Sequence, residues 1–387
     1  MERPYLRRSR GGVTMSAMAD ASRTRLVLAA PDAYKGTVGA KELAHAVAAA
    51  ATDAGWLCDE CPVSDGGEGF ADVVSLAATS PRSGRHDTAD GPDSGRWIDT
   101  TVTGPLGRPV VARWYLGRGQ AVIESATASG LPLAGGAAGN DPVAATTRGT
   151  GELIAAAVAA GARRILIGVG GSATTDGGLG AMEAIDGSGG LKGVDVVVAC
   201  DVQTPFVEAA DVFGPQKGAS PDQIVILRHR LEALVDRYRV ERAVDVSVLP
   251  SAGAAGGLAG GLAALGARLV PGFAVVAEAV SLADRLGRAD LVVTGEGRLD
   301  ASSWSGKVVG EVQEMARIAA VPVLVVAGTL GVGGARPGLE FVDLTARFGV
   351  ETALAEPAAC VRAVVRQALG QCLDDRAGSG SPNVSDP

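Results

Sequence analysis

Two short stretches place carboxylates inside glycine-rich turns, each directly after a short apolar run: SDGGEG at residues 64–69 and TGEGRLD at residues 294–300. Glycine lets the backbone turn sharply and approach a ligand closely. A carboxylate held in such a turn can bind a metal ion or exchange a proton. Taken alone, each stretch fits equally well an ordinary strand-to-helix loop in which the acid caps the helix.

Lysine usage points to the same kind of turn. The sequence has only five lysines, and arginine supplies the other 30 basic groups. Three of the five lie beside a glycine in a predicted turn, namely Lys35 in DAYKG, Lys217 in GPQKG and Lys307 in SGKVVG. Lysine is a compact charge that can follow a moving phosphoryl group. We therefore predict functional roles for these three lysines.

A third glycine-rich segment, GVGGSATTDGG at residues 168–178, follows a predicted strand. Its backbone N–H groups, its threonine hydroxyls and Asp176 can cradle a phosphate or a carboxylate. The alternative is a strand-to-helix connection in which Asp176 is a helix cap. The sequence contains neither a G-x-x-x-x-G-K-[ST] motif nor G-x-G-x-x-G after a strand, which disfavours P-loop and dinucleotide-binding proteins.

These residue types suit phosphoryl transfer, which needs cations and amides for the phosphates, carboxylates for Mg²⁺ and a group that orients the attacking hydroxyl. Lys35, Arg298 and Lys307 are candidates for phosphate charge. The candidate acids for a metal or a base are Asp65, Glu68, Glu296 and Asp300. Mg²⁺ usually takes only one or two carboxylates, so some of these acids must be caps or outer partners.

Composition excludes several other classes. The chain is 47% hydrophobic with a net charge of −8, which argues against nucleic acid or an anionic membrane as a partner. No apolar run approaches the roughly 20 residues that span a bilayer, and the arginine-rich start has no apolar segment behind it. Three isolated histidines and one C-x-x-C (Cys58 and Cys61) give little support to zinc or histidine chemistry. We expect a cytoplasmic protein, either a monomer or a homodimer.

The elements alternate as in an α/β protein. Apolar runs such as RLVLAA and ADLVV, each ending in a polar turn, predict buried parallel strands in both terminal parts of the chain. Residues 96–124 alternate β-branched and polar residues and predict antiparallel strands. We infer that the terminal parts share one parallel sheet, with the middle inserted as a second domain. The predicted boundaries are an N-terminal extension (1–24), a discontinuous first domain (25–80 and 283–373), an inserted domain (95–282) and a disordered tail (374–387).

Ligands of open parallel sheets bind outside the carboxyl ends of the strands. This rule places APDAYKG, SDGGEG, TGEGRLD and VAGT along one edge, so both glycine-acid turns are predicted to face one cleft. Residues 79–96, which are polar and rich in proline and glycine, predict a loop or linker.

Nine blocks, in order, resemble the motifs of bacterial glycerate kinases of the type-1 family, and together they cover roughly residues 25–335. They are APDAYKG, SDGGEG, AVIESATASGLPL, TTRGTGELI, GVGGSATTDGG, VACDVQTPF, VFGPQKGAS, AGAAGGLAGGLAALGARLVPG and ADLVVTGEGRLDASSWSGK. The resemblance implies a flavodoxin-like parallel-sheet domain interrupted by an inserted α/β domain. It also implies phosphorylation of D-glycerate with ATP and Mg²⁺, giving 2-phosphoglycerate or 3-phosphoglycerate.

The resemblance and the residues together give a predicted site. The predicted catalytic residues are Lys35, Asp65, Asp176, Asp201 and Arg298. The predicted substrate- or nucleotide-binding residues are Gly66, Gly67, Glu68, Gly170, Gly171, Ser172, Thr174, Lys217, Gly295 and Lys307. Asp65 is the predicted metal ligand with Glu296 as its rival, and Asp176 or Asp201 is predicted to orient the acceptor hydroxyl.

The sequence departs from the family pattern in two loops. The segment MEAIDGSGGLKG is short, and so is the segment between CDVQTPF and VFGPQKG. Two alternatives therefore stay open: a kinase for a related small hydroxy acid, and a non-catalytic ligand-binding paralogue.

Overall fold

The computed structural model describes residues 24–79 and 95–377. In chain order, the described strands β1 to β13 are Leu26–Ala29, Leu57–Glu60, Arg96–Thr103, Pro109–Gly117, Gln120–Glu124, Arg164–Gly168, Asp195–Cys200, Arg268–Pro271, Leu291–Thr294, Arg298–Leu299, Val323–Ala327, Thr329–Leu330 and Glu340–Asp343. The described helices α1 to α15 are Ala40–Asp53, Phe70–Thr79, Ala126–Ser129, Gly136–Gly139, Arg148–Ala159, Leu179–Gly187, Ala209–Phe213, Pro221–Arg242, Leu258–Ala264, Gly272–Ala279, Leu282–Leu286, Val308–Ile318, Leu344–Phe348, Val350–Ala355 and Pro357–Ala377.

The chain divides into two compact units. Within the described residues, the discontinuous unit comprises 24–63 and 281–377, and the inserted unit comprises 64–280. The first boundary differs from the one expected near residue 80, because α2 packs on β4 and β5 of the inserted unit. A turn rich in glycine gives no sequence signal for the sheet on which the next helix will pack.

In the described part of the discontinuous unit, five strands form a parallel sheet in the order β2-β1-β9-β11-β13. The order is that of a flavodoxin-like sheet and confirms the predicted fold class. Alternate residues of β11 enter opposite layers: Val326 packs with α1 and α15, and Val325 packs with Val309 of α12. Burial on both faces is the reason these strands are continuous apolar runs.

The inserted unit has its own sheet, with described strands in the order β3-β4-β5-β6-β7-β8. The β3–β4 and β4–β5 pairs are antiparallel, as predicted for residues 96–124, and β5 to β8 run parallel. Ile165 and Ile167 of β6 pack with α5 and α9 in the main core of this unit. Helices α2 and α10 contact each other. Helix α2 also packs on β4 and β5, and α10 packs on β7 and β8.

Three predicted segments lie wholly or mainly outside the described residues: the N-terminal extension, the loop at 79–96 and the C-terminal tail. Helix α15 continues to Ala377, four residues into the segment predicted as a tail. No helix in the described residues combines the length and the apolar character that a membrane crossing requires.

Candidate active site

The discontinuous unit brings the Lys35 loop and the TGEGRLD turn together. Strands β1 and β9 are neighbours in the sheet, and the loop that holds Lys35 and the turn that holds Glu296 follow their carboxyl ends. At this point the strand order reverses direction, and flavodoxin-like sheets bind ligands there. The hydroxyl of Thr294 donates to the carbonyl of Ala30 (2.7 Å), and the N–H of Asp32 donates to the carbonyl of Gly295 (2.9 Å).

Glycine is required in this turn because backbone segments approach closely. A Cβ atom on Gly295 would lie 1.8 Å from the carbonyl oxygen of Val326, a contact that no side chain tolerates. The hydroxyl of Tyr34 donates to the same carbonyl (2.8 Å). Burial, and then the nearby charge of Glu296, raise the pKa of Tyr34, so the phenol stays protonated. Glu296 is itself buried, at 8% exposure, in the same turn as Gly295.

The cations of this edge are more accessible than the acids. Lys35 and Arg298 are exposed, and Lys307 is half-buried at the residue that precedes α12. Arg298 pairs with Asp300, with 3.4 Å between Nε and Oδ2. Asp300 begins a short 3₁₀ helix (Ala301–Trp304), and its hydrogen bonds with Ser302, then the charges of Lys307 and Arg298, lower its pKa. Asp300 is therefore a helix cap within a cationic surface.

In the inserted unit, the SDGGEG turn lies against the carboxyl ends of the parallel strands. A Cβ on Gly170 would lie 2.7 Å from the Cα of Gly67, and a Cβ on Gly272 would lie 2.0 Å from the carbonyl oxygen of Asp65. Asp65 is 2% exposed, and its Oδ1 accepts from the N–H of Gly67 (3.1 Å). Glu68 is exposed on the same turn. This edge therefore gathers Asp65, Gly66 and Gly67 beside Gly170.

Glu124 is an acid at the carboxyl edge of this sheet that is absent from the residues predicted from the sequence. It ends β5, and its Oε1 accepts from the N–H of Ala71 in the first turn of α2 (2.8 Å). Burial raises its pKa to about 7, and the charges of Asp72 and Glu68 add to this against the opposing effect of the backbone hydrogen bonds. The only sequence signal was its place in the AVIESATASG block, directly after an apolar run.

Both carboxylate oxygens of Asp176 accept hydrogen bonds from neighbouring groups of the inserted unit. Its Oδ2 accepts from the N–H (2.8 Å) and hydroxyl (2.9 Å) of Thr147 and from the N–H of Gly180 (3.3 Å), while Oδ1 accepts from the N–H of Gly178 (3.1 Å). Thr147 and Gly178 immediately precede α5 and α6. The carboxylate thus caps two helices, which favours the structural alternative over the catalytic prediction. Asp201, half-buried directly after β7, keeps the position of a strand-end acid.

The glycine-rich loop at residues 168–178 packs on a second glycine-rich segment, SAGAAGGLAGG at residues 251–261. A Cβ on Gly256 would lie 2.0 Å from the carbonyl oxygen of Thr174, and a Cβ on Gly261 would lie 2.6 Å from that of Gly177. The N–H of Gly177 donates to the carbonyl of Gly256 (3.1 Å). Backbone packs directly on backbone, which explains why SAGAAGGLAGG contains so few large side chains.

Lys217 is buried, at 3% exposure, and faces this loop. Its ammonium group donates to the hydroxyl of Ser172 (2.9 Å) and to the carbonyl of Thr174 (2.6 Å). Burial lowers its pKa to about 7, opposed by the charge of Asp176. Direct contact between Lys217 and a large ligand is therefore disfavoured. Gly171 is exposed at the tip of the loop, and Ser172 is 7% exposed beside it.

Lysines, arginine and carboxylates at the carboxyl edges of two α/β sheets are the parts of a phosphate-handling enzyme. A model of the glycerate kinase family matches residues 27–189 and 186–369. Glycerate 2-kinase of Escherichia coli K12 is 39% identical over 342 residues, and glycerate kinase of Bacillus subtilis 168 is 38% identical over 340 residues. Both alignments cover 79% of this chain and 85% of the relative.

A crystal structure of a protein assigned as glycerate kinase 2 from Salmonella typhimurium LT2 matches with a TM-score of 0.75 at 33% identity. The match covers 92% of this chain and 100% of that chain. The chain therefore belongs to the glycerate kinase family and is a kinase.

Proposed function

We propose that this kinase transfers a phosphoryl group from ATP to D-glycerate with the help of Mg²⁺. The observation that carries the proposal is the arrangement at the β1–β9 edge, where Lys35 follows one strand and the buried Glu296 and the exposed Arg298 follow its neighbour. Its acceptor is suggested by membership of the glycerate kinase family. A cytoplasmic location belongs to the same proposal, because the reaction consumes cytoplasmic ATP.

The donor set suits Mg²⁺ bound together with a nucleotide. Among the described residues, no group of three or more histidine, cysteine or acidic side chains is placed to hold a metal ion. Mg²⁺ typically uses one or two carboxylates and completes its shell with water and phosphate oxygens. Asp65 and Glu296 are each a buried carboxylate in a glycine-rich turn. One of them would hold the ion, which when bound neutralises phosphate charge.

Other residues of the chain would neutralise phosphate charge and orient the acceptor. Lys35 and Lys307 would neutralise phosphate charge, and Arg298 would support them from the same surface. Asp201 would orient the acceptor hydroxyl, because Asp176 is committed to helix capping. Phosphoryl transfer depends mainly on positioning and electrostatic stabilisation. Turns that are locked by backbone contacts, such as those at Gly295 and Gly170, suit that requirement.

The site of phosphorylation is part of the proposal. Similarity to a protein named glycerate 2-kinase favours 2-phosphoglycerate over 3-phosphoglycerate. A related small hydroxy acid is the second candidate acceptor, since the shortened segment between CDVQTPF and VFGPQKG follows the carboxyl end of β7.

The test is ADP release by the purified protein with ATP and Mg²⁺, comparing D-glycerate with L-glycerate, lactate, tartronate and no acceptor. We expect turnover that depends on D-glycerate, and ³¹P NMR of the product to show the phosphate on carbon 2. Turnover with tartronate or lactate alone would reassign the acceptor. Absence of turnover with every acceptor, from folded protein, would favour the non-catalytic paralogue.

Two variants decide between the metal candidates. Asp65→Asn and Glu296→Gln each remove one carboxylate charge with little change in shape. We expect the Mg²⁺ concentration for half-maximal rate to rise at least about tenfold in the variant that has lost the ligand. An unchanged Mg²⁺ dependence in both variants would remove both residues from the metal site.

A further inference from the structure

The contact between Lys217 and Ser172 has a direction that the chemistry of the groups imposes. An ammonium group only donates hydrogen bonds, so while Lys217 is protonated the Ser172 oxygen accepts from it across the 2.9 Å contact. The hydroxyl proton of Ser172 must then point away from Lys217. A serine held in this way presents a donor, and its oxygen is polarised by the neighbouring positive charge.

The surroundings fix this arrangement firmly. The side-chain amide of Asn140 donates to the carbonyls of Ala173 (3.0 Å) and Lys217 (2.9 Å), which ties the two segments together. Gly218, with a φ of 88°, comes so close to Ala137 that a Cβ atom would lie 2.2 Å from the carbonyl oxygen. The side chain of Lys217 therefore has little freedom to turn towards another partner.

The loop that holds Ser172 also contains two buried hydroxyls without a partner. The hydroxyls of Thr174 and Thr175 are fully buried and have no hydrogen-bond partner among the described residues. A buried hydroxyl without a hydrogen-bond partner lowers the stability of the folded state. The bond from Lys217 to the Thr174 carbonyl is a contact from outside the loop that helps to hold its conformation.

We propose that Lys217 is a positioning residue that holds Ser172 so that its hydroxyl donates to an anionic oxygen of the substrate. This inference rests on the proposed function and deepens it. The oxygen belongs either to the carboxylate of the acceptor acid or to a phosphate of the nucleotide. In both cases the ligand is an oxyanion bound at the carboxyl end of β6.

The protonation state of Lys217 would control the same contact. Burial lowers the pKa of Lys217, and Asp176 is the charged group that opposes this effect. When the amine is neutral it can accept the Ser172 proton, which turns the hydroxyl inward and removes the donor. Affinity for the oxyanion should then fall as the pH rises through about 7.

The experiment compares Ser172→Ala, Lys217→Met and the double variant by steady-state kinetics, with separate KM values for D-glycerate and ATP. Lys192→Met is the matched control, since Lys192 is exposed in the loop that precedes β7, away from its carboxyl end. We expect Ser172→Ala and Lys217→Met each to raise one of the two KM values about tenfold or more, and kcat less. The substrate whose KM rises identifies the oxyanion.

The double variant should be no worse than Lys217→Met, because both substitutions remove one interaction. The pH dependence of the affected KM near 7 should be present in wild type and Lys192→Met and absent in Lys217→Met. Losses that multiply in the double variant, or unchanged KM values in folded Ser172→Ala, would overturn the inference while the wild type stays active. An inactive wild type and Lys192→Met would overturn the proposed function and the inference with it.

Discussion

The carboxylate of Asp176 accepts both the backbone N–H and the hydroxyl of Thr147, a residue 29 positions away in sequence. The hydroxyl of Thr147 in turn accepts from the N–H of Ala181 in α6 (3.0 Å). The pair therefore links the beginnings of α5 and α6 through one buried acid. Negative charge near helix N-termini is stabilising because it satisfies backbone donors and complements the helix dipole.

Replacement of Asp176 should therefore act first on stability. We expect Asp176→Ala to lower the free energy of unfolding by about 3 kcal/mol or more, because buried backbone donors lose a charged acceptor. Urea denaturation measures this loss, with Asp99→Asn, which changes an exposed acid, as the control. Unchanged stability together with a large loss of kcat would restore the catalytic interpretation.

Replacement of Lys35 should lower activity and leave stability almost unchanged. Its side chain is exposed, so Lys35→Met should leave the unfolding free energy within about 0.5 kcal/mol of wild type. We expect kcat to fall about 100-fold or more through the loss of a phosphate-directed charge. Lys41→Met, in the first turn of α1, removes the same charge from another exposed position and should keep wild-type kinetics. Equal effects of the two substitutions would mean that only the net charge matters.

Gly295 should not tolerate alanine. The added Cβ would lie 1.8 Å from the carbonyl oxygen of Val326, so the turn that holds Glu296 must move. We expect Gly295→Ala to be destabilised by about 2 kcal/mol or more and to lose most activity. Gly39→Ala is the matched control, since Gly39 has a φ of −74° and open space around its Cα. A Gly295→Ala protein as stable as this control would show that the turn is not rigid.

Glu124 should make stability depend on pH. Its pKa is about 7 in the folded protein and near 4.5 when unfolded, so the folded state binds the proton more tightly. This contribution is fully present below about pH 4.5 and is lost as the pH rises through 7. Glu124→Gln, which stays neutral and keeps an acceptor for Ala71, should unfold with about 1–3 kcal/mol more free energy than wild type at pH 8.

The measurement is urea denaturation at pH 5 and pH 8 for both proteins. At pH 5 the difference should shrink, because both side chains are then neutral in the folded state. Stability curves that remain parallel from pH 5 to pH 8 would contradict the raised pKa. Glu183→Gln, a change of an exposed acid on α6, controls for general loss of negative charge.

The sequence predicts the elements well where physical signals are local. RLVLAA, ADLVV and VPVLVVA are continuous apolar runs because β1, β9 and β11 are covered on both faces, and each is a strand in the structure. The Lys35 loop and the Glu296 turn were correctly placed at one sheet edge because carboxyl ends of parallel strands meet there.

Other features depend on contacts that no local pattern records. The SDGGEG turn packs through Gly66 and Gly67, which carry no side chains, so its association with the inserted unit is invisible in sequence. The sequence does not show that Asp176 accepts a hydrogen bond from Thr147, because the two residues meet only in the folded chain. Glu124 gains its raised pKa only through burial against α2, and a glutamate after an apolar run has no distinctive signature.

The split between residues 24–63 and 281–377 also sets an order of assembly. The interior strand β1 pairs with β9, and the N–H of Leu26 donates to the side chain of Asp290, 264 positions later. On a ribosome that adds about 5–20 residues per second, β1, α1 and β2 wait on the order of 10–40 seconds before β9 exists. The inserted unit is contiguous and can complete its own sheet during that interval. The nascent β1 edge, open on the side that β9 will cover, therefore needs protection from other strands during synthesis.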